Sequence, residues 1–235
     1  MTIPLSKRLQ ACADFVSVGN RVADIGCDHG YLSIYLLKNN IAASVIAADI
    51  NEMPLQSAVR NAGKFGVQNK ISFYLSDGVR NIPRDFDTLV CAGMGADTMI
   101  SILDAAPWLK SQKYRLILQC QSKTHLLRKY LSDNHYDIKQ ETVLRDGRFL
   151  YTVMVIGWDP SSPALTPGQL YFSPALLINP TPELPEYYQS ILFRLRRAIH
   201  GQGDQAAPEL CNALNELESD PALQHLKEEP HGNCE

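Results

Sequence analysis

Long apolar runs are missing from this 235-residue chain. The longest uncharged apolar stretch, around Leu89 to Ala96, falls far short of the roughly 20 residues a bilayer-spanning helix needs. Lys7, Arg8, Gln10 and Asp14 interrupt any apolar core near the start, so a secretory signal is not expected and the chain reads as cytoplasmic, with no membrane role. Cysteine is sparse and scattered. Residues 12, 27, 91, 120, 211 and 234 form no C-x-x-C pair and have no histidine spacing to match, which argues against a zinc site and for reduced thiols. A strong excess of one charge is also lacking, since the net charge is −3. That figure hides an asymmetry: residues 1–200 carry 21 basic against 17 acidic side chains, and eight acidic residues with a single lysine follow from Gly201 onward. The body is therefore net positive, which permits a polyanionic partner.

What is present is an apolar fraction of 45% in a chain long enough to bury one sizeable core and carry an appendage. Short β-branched runs alternate with helical patterns, the signature of a parallel sheet with crossover helices. Strands are expected at 21–26, 44–50, 71–77, 88–93, 114–120, 136–144 and 149–158, with helices at 31–39, 54–65, 97–105 and 125–134. The last two strands are joined only by Arg145-Asp146-Gly147-Arg148, which makes a hairpin instead of a crossover. The expected fold is thus a Rossmann-like, doubly wound α/β sheet of seven strands, mostly parallel, with an antiparallel terminal hairpin. Seven of the 14 prolines fall between Asp159 and Pro185, so residues 159–182 read as a linker after a first domain of residues 1–158 able to fold alone. Apolar positions at Tyr188, Ile191, Leu192, Leu195 and Ile199, then at Leu210, Leu214 and Leu217, predict a helical hairpin over 183–220, and residues 221–235 read as a disordered tail.

The chemistry is concentrated where the first strand ends, in Asp24-Ile25-Gly26-Cys27-Asp28-His29-Gly30. Doubly wound folds bind their ligands at such a strand-to-helix turn. The G-x-G-x-x-G of dinucleotide sites is missing, and the added carboxylate would repel a pyrophosphate. S-adenosylmethionine carries a positive sulfonium and no phosphate, so acidic residues suit it better. Asp49 closes the second strand, where a carboxylate can accept both ribose hydroxyls, and Asp77-Gly78 closes the third, where it can accept from an adenine amino group. Any one of these aspartates is more simply a helix cap; three at successive strand ends point to one site. Cys27 and Cys91 flank the site without an adjacent histidine and acid to activate them, so they read as packing.

The segments DIGCDHGYL (24–32), AADI (47–50), SDG (76–78) and AGMGA (92–96), with ILQCQ (117–121), LLRKYL (126–131) and RDGRFLYTVMV (145–155), resemble the bacterial tRNA (adenine-22-N1)-methyltransferases over roughly residues 5–200. The resemblance implies S-adenosylmethionine as methyl donor, N1 of a tRNA D-arm adenine as acceptor and a helical carboxy-terminal extension. Ala96 stands where the family usually has glycine, and the extension here is shorter. On this basis the candidate cofactor residues are Arg8, Asp24, Gly26, Cys27, Asp28, His29, Gly30, Asp49, Ile50, Asn51, Asp77, Gly78 and Gly93. Asp28, Gly93, Met94 and Gly95 are the candidates for positioning the acceptor, with no general base assigned. Lys7, Lys123, Arg128, Arg145, Arg148, Arg194, Arg196 and Arg197 are the candidates for gripping tRNA. The fourth strand lacks the Asn/Asp-Pro-Pro-aromatic set typical of exocyclic-amine methylation, which agrees with a ring nitrogen as acceptor. No obligate protein partner is evident. A small-molecule methyltransferase, or an RNA-binding module with a vestigial pocket, would share many of these features.

Overall fold

The computed structural model describes residue 3, residues 5–203 and residues 207–227. Seven strands form one sheet: β1 (Asn20–Ile25), β2 (Ala42–Asp49), β3 (Ile71–Leu75), β4 (Thr88–Met94), β5 (Arg115–Cys120), β6 (Tyr136–Asp146) and β7 (Phe149–Trp158). Their spatial order is β3-β2-β1-β4-β5-β7-β6. The first five are parallel; β7 runs antiparallel to β5 and pairs with β6 through a tight turn in which Asp146 faces Phe149 and Gly147 takes φ +60°. This is the seven-stranded sheet with an antiparallel terminal hairpin that the alternating pattern implied.

Side chains alternate between two buried faces. Val22, Val45, Val90, Ile117 and Val153 meet α1 (Lys7–Asp14), α2 (Tyr31–Lys38) and α3 (Glu52–Lys64) on one face. Ala23, Ala48, Leu89, Leu118 and Met154 meet α4 (Ala96–Asp104) and α5 (Thr124–Asp133) on the other. Coverage on both sides is why the central strands read as nearly continuous apolar runs instead of alternating ones. Helix α1 went unanticipated. Ser6 caps it by accepting from the Leu9 amide, and Cys12 and Ala13 bury it against the sheet.

The proline-rich span is not an extended linker. It contains α6 (Pro167–Tyr171), closed by a capping box between Thr166 and Gln169, and a 3-10 turn at Pro174–Leu177. Phe172 and Leu176 are buried in one apolar cluster with Val143 of β6. The physical reason is positional: Pro167, Pro174 and Pro185 stand in the first turns of helical segments, where a fixed φ helps and the missing N–H costs nothing. Helices α7 (Leu184–Gln202) and α8 (Pro208–Ser219) follow, joined by the Tyr188 hydroxyl, which donates to the Leu217 carbonyl at 2.7 Å. The expected tail begins instead as a 3-10 segment, Pro221–Leu226, with Leu223 and Leu226 buried in the same cluster; residues 228–235 lie outside the described residues. Among the described residues no helix is long and apolar enough to cross a membrane.

Arg128 of α5, expected to bind RNA, is the bolt of this appendage. Its side chain is 1% exposed, and it donates to Glu141 of β6 at 2.6 Å, to the Leu170 and Tyr171 carbonyls at 3.0 and 2.8 Å, and to the Tyr187 hydroxyl at 3.4 Å. Burial disfavours its charge, but the Glu141 carboxylate more than offsets that and keeps the guanidinium protonated. A chain cut after Trp158 loses two carbonyl acceptors and the tyrosine, so the fragment 1–158 should be molten or insoluble, contrary to the expectation of an independent domain. Arg128→Met leaves a buried carboxylate unpaired and should cost about 3–5 kcal/mol in urea denaturation, whereas Arg128→Met with Glu141→Leu should regain most of it. An unchanged midpoint for the single variant would show that the pair contributes nothing.

Candidate functional site

Strand order reverses at β1, whose neighbours β2 and β4 send their chains to opposite sides, and a crevice opens beyond their carboxyl ends. A cavity of about 530 Å³ occupies it. From the β1 end and the loop after it come Asp24, Gly26, Cys27, Asp28 and His29; from β2, Asp49, Ile50 and Asn51; from the turn after β3, Asp77 and Gly78; from β4, Gly93 and Met94. Arg8 reaches in from α1, donating to Asp146 at 2.9 Å and lying over the Tyr151 ring at 5.0 Å.

Backbone geometry explains why these residue types occupy these places. Gly26 sits at φ +73°, and a Cβ there would lie 2.2 Å from the Met94 side chain. Asp28 also has positive φ (+49°), and its amide donates to Asp49 at 3.0 Å. The other Asp49 oxygen accepts from the Asn51 amide at 2.8 Å, so the β1 and β2 loops are clamped on one carboxylate that is 7% exposed. Gly93, at φ +80°, is held by its amide donating to the Gln119 side chain at 3.0 Å, and the space beside its Cα is open apart from Gln121.

Not every expected residue lines the cavity. Gly30 caps α2 at φ +74°, and a Cβ there would meet Ala58 of α3 at 2.9 Å; its smallness lets two helices approach. Gly95 is the N-cap of α4 and faces Ser122. Gly78 does line the cavity, yet its lack of a side chain serves Ile102, which a Cβ would meet at 2.8 Å. Sequence reasoning missed Gln119, Gln121, Ser33 and Ser76. Gln119 is fully buried in β5 directly after the apolar run Leu116–Leu118, and that lone amide in a hydrophobic run was the available signal.

Four carboxylates face the cavity against one arginine and one histidine, a setting hostile to phosphate and receptive to a cation. Asp24 is the most strained of them. Burial raises its pKa to about 6 even though Ser33 donates to it at 2.6 Å. Burial pushes the Cys27 thiol well up and the Cys91 thiol up to about 12, so both stay protonated, in keeping with packing.

The basic candidates separate. Lys123, Arg148 and Arg194 line a second cavity of about 690 Å³ between the sheet and α7, as does the buried Arg128. Lys123 pairs with Asp97 at 2.8 Å and Arg145 pairs with Glu186. Arg194, Arg196 and Arg197 do not form one patch: residues two apart on a helix face opposite ways, and Arg196 is held by Glu218 of α8 at 3.1 Å. Arg197 and Lys7 are exposed, with no ion pair among the described residues.

The sheet order and the acidic crevice are those of a Rossmann-like protein with a cation-receptive ligand site. A family model described as a methyltransferase domain matches residues 5–154. The tRNA (adenine(22)-N(1))-methyltransferase of Bacillus subtilis is 36% identical over 154 residues, 65% of each sequence, so the aligned stretch spans just under two thirds of that relative. Structurally, the B. subtilis m1A22 tRNA methyltransferase superimposes with TM-score 0.77 at 30% identity, covering 97% of this chain and 100% of that one. A Mycoplasma capricolum counterpart solved with S-adenosyl-homocysteine, its natural cofactor product, gives TM-score 0.77 at 27% identity over 91% and 96% of the two chains. The chain belongs to this family of bacterial tRNA (adenine(22)-N(1))-methyltransferases.

The Asp24 environment generates a prediction about pH. The folded protein holds this proton up to about pH 6, and the unfolded chain releases it near the ordinary value of 3.8. Its contribution to stability is therefore fully present below about pH 4 and lost as pH rises through about 6, a difference on the order of 3 kcal/mol. Asp24→Asn should raise Tm at about pH 7.5 and change it little at about pH 4; equal shifts at both would show that Asp24 does not titrate as described.

Proposed function

We propose that the chain methylates N1 of an adenine in tRNA, position 22 of the D-arm, with S-adenosylmethionine as donor. The observation that carries this reading is the crevice, which gathers Asp24, Asp28, Asp49 and Asp77 with no phosphate-binding glycine loop, within a chain of this family. Bound there, the donor supplies an electrophilic methyl group on a cationic sulfur. Asp49 accepts the ribose hydroxyls: each of its oxygens already holds one backbone amide, and a carboxylate has lone pairs left for two more donors. Asp77 accepts the cofactor's adenine amino group, and Ile50, 62% exposed, covers the ring. Arg8 receives the cofactor's carboxylate. Asp24, Gly26, Cys27, Asp28, His29 and Asn51 shape the remaining wall.

Adenine N1 presents an in-plane lone pair and is uncharged at neutral pH, so the acceptor needs no general base. Asp28 and the open backbone at Gly93 and Met94 hold it in line with the donor. Alignment of this kind can supply about 7–11 kcal/mol in ideal cases. N1 lies on the pairing edge, so the target nucleotide is turned out of its stack, at a cost of a few kcal/mol recovered by phosphate and stacking contacts. Lys7, Lys123, Arg145, Arg148, Arg194 and Arg197 supply the phosphate contacts; Arg128 is withdrawn from that set, and Arg196 serves α8.

Two measurements test the reading. Asp49→Ala should weaken S-adenosylmethionine binding at least tenfold by calorimetry, since two charge-assisted hydrogen bonds are lost; an unchanged Kd would remove Asp49 from the ribose site. Incubation with labelled S-adenosylmethionine and unmodified tRNA, followed by nucleoside digestion, should yield N1-methyladenine. N6-methyladenine, or no methylated nucleoside, would overturn the acceptor assignment.

A further inference from the structure

The larger cavity lies beside the crevice and is not explained by cofactor binding. Gln121 lines both cavities, and the Arg8–Tyr151 contact stands between them, with Arg8 on the crevice side and Tyr151 on the groove side. Two phenylalanines line the groove while largely exposed: Phe149 (52%) at the β6–β7 turn and Phe193 (65%) on α7. An isolated exposed phenylalanine needs no explanation, but two from distant parts of the chain on one concave surface do. The Arg148 guanidinium lies over the Phe149 ring at 4.9 Å, and His125 stacks on Tyr171 at 4.7 Å with an interplanar angle of 10°. Arg194, whose guanidinium bonds within its own helix and has no ion pair among the described residues, adds positive charge; the acidic lining residue, Glu186, is neutralised by Arg145.

Flat apolar faces interleaved with guanidinium groups are what a single-stranded nucleic acid requires, because every base has a face to stack and every linkage a phosphate to pair. An uncharged peptide or lipid would use the rings but leave the arginines around them unpaired. We infer that this groove binds an unpaired RNA nucleotide next to the methyl acceptor, its base stacked against Phe149 and Phe193 and its phosphate held by Arg148 and Arg194. The inference rests on the tRNA reading above and adds to it: an enzyme that turns out one adenine must also hold the strand beside it. The two rings come from β7 and α7, so the appendage completes the groove instead of merely packing on the sheet.

The test uses full-length protein and unmodified tRNA, with binding followed by fluorescence anisotropy, so that it does not depend on turnover. Phe149→Ala with Phe193→Ala should weaken tRNA binding about tenfold. Kd for S-adenosylmethionine should not change, since neither ring lines the crevice. Phe149→Trp with Phe193→Tyr should restore the affinity. A tRNA made abasic at one position flanking the acceptor should lose a similar factor with the native protein and nothing further with the double alanine variant. Unchanged tRNA affinity in that variant, or losses that multiply independently, would overturn the groove assignment. Tight binding without methylation would overturn the activity and leave the groove test intact; no binding of tRNA at all would overturn both.

Discussion

Parallel pairing of β1 with both β2 and β4 is the constraint on which the rest depends. Parallel strands cannot be joined by tight turns, so each connection must cross back along the sheet, through α2, α3 and α4 or through the helix-free segment 76–87 after β3, and every loop leaving a strand's carboxyl end then falls on the same edge. The reversal of strand order at β1 parts the loops just where Asp24, Asp49 and Gly93 arrive from three strands. Nothing about these residues in isolation makes a site. Their convergence follows from strand direction and order.

Packing in this crevice trades stability for charge. Asp24 is a carboxylate at a core position, 3% exposed, and Asp49 lies close enough to disfavour its ionisation further. Ser33 and the backbone only partly compensate. Such an arrangement costs folding stability and is well matched to a cationic ligand, the pattern expected where binding rather than folding governs the choice of residue.

A second buried charge solves a different problem. Arg128 and Glu141 join α5 and β6, and the two terminal guanidinium nitrogens also reach the α6 carbonyls and Tyr187 of α7. A hydrophobic pair would fill the same space, but it would not select which backbone segment lies across the sheet edge. The directional donors of arginine do, and by fixing α7 they set the far wall of the aromatic groove.

Much of this was legible in the amino-acid order. Apolar runs at 21–26, 44–50, 88–93 and 114–120 with helical patterns between them are local consequences of burial on both faces, and Gly147 in its short turn marks the hairpin. Aspartates at successive strand ends could be counted without coordinates, because strand direction alone carries them to one edge. Prolines misled: Pro167 and Pro174 read as breakers, and only the surrounding Thr166 and Ser173 caps show that they begin turns. Arg128 misled in the same way, since a basic residue on an amphipathic helix is usually solvated and its burial depends on Glu141, 13 residues on, and on carbonyls more than 40 residues away. By itself, then, the sequence determined the sheet, its hairpin and the acidic character of the crevice, all of which follow from near-neighbour periodicity. Which charges are buried, which glycines serve packing, and that Phe149 and Phe193 share one groove were decided only by the tertiary structure, because those facts depend on contacts between segments with no common local pattern.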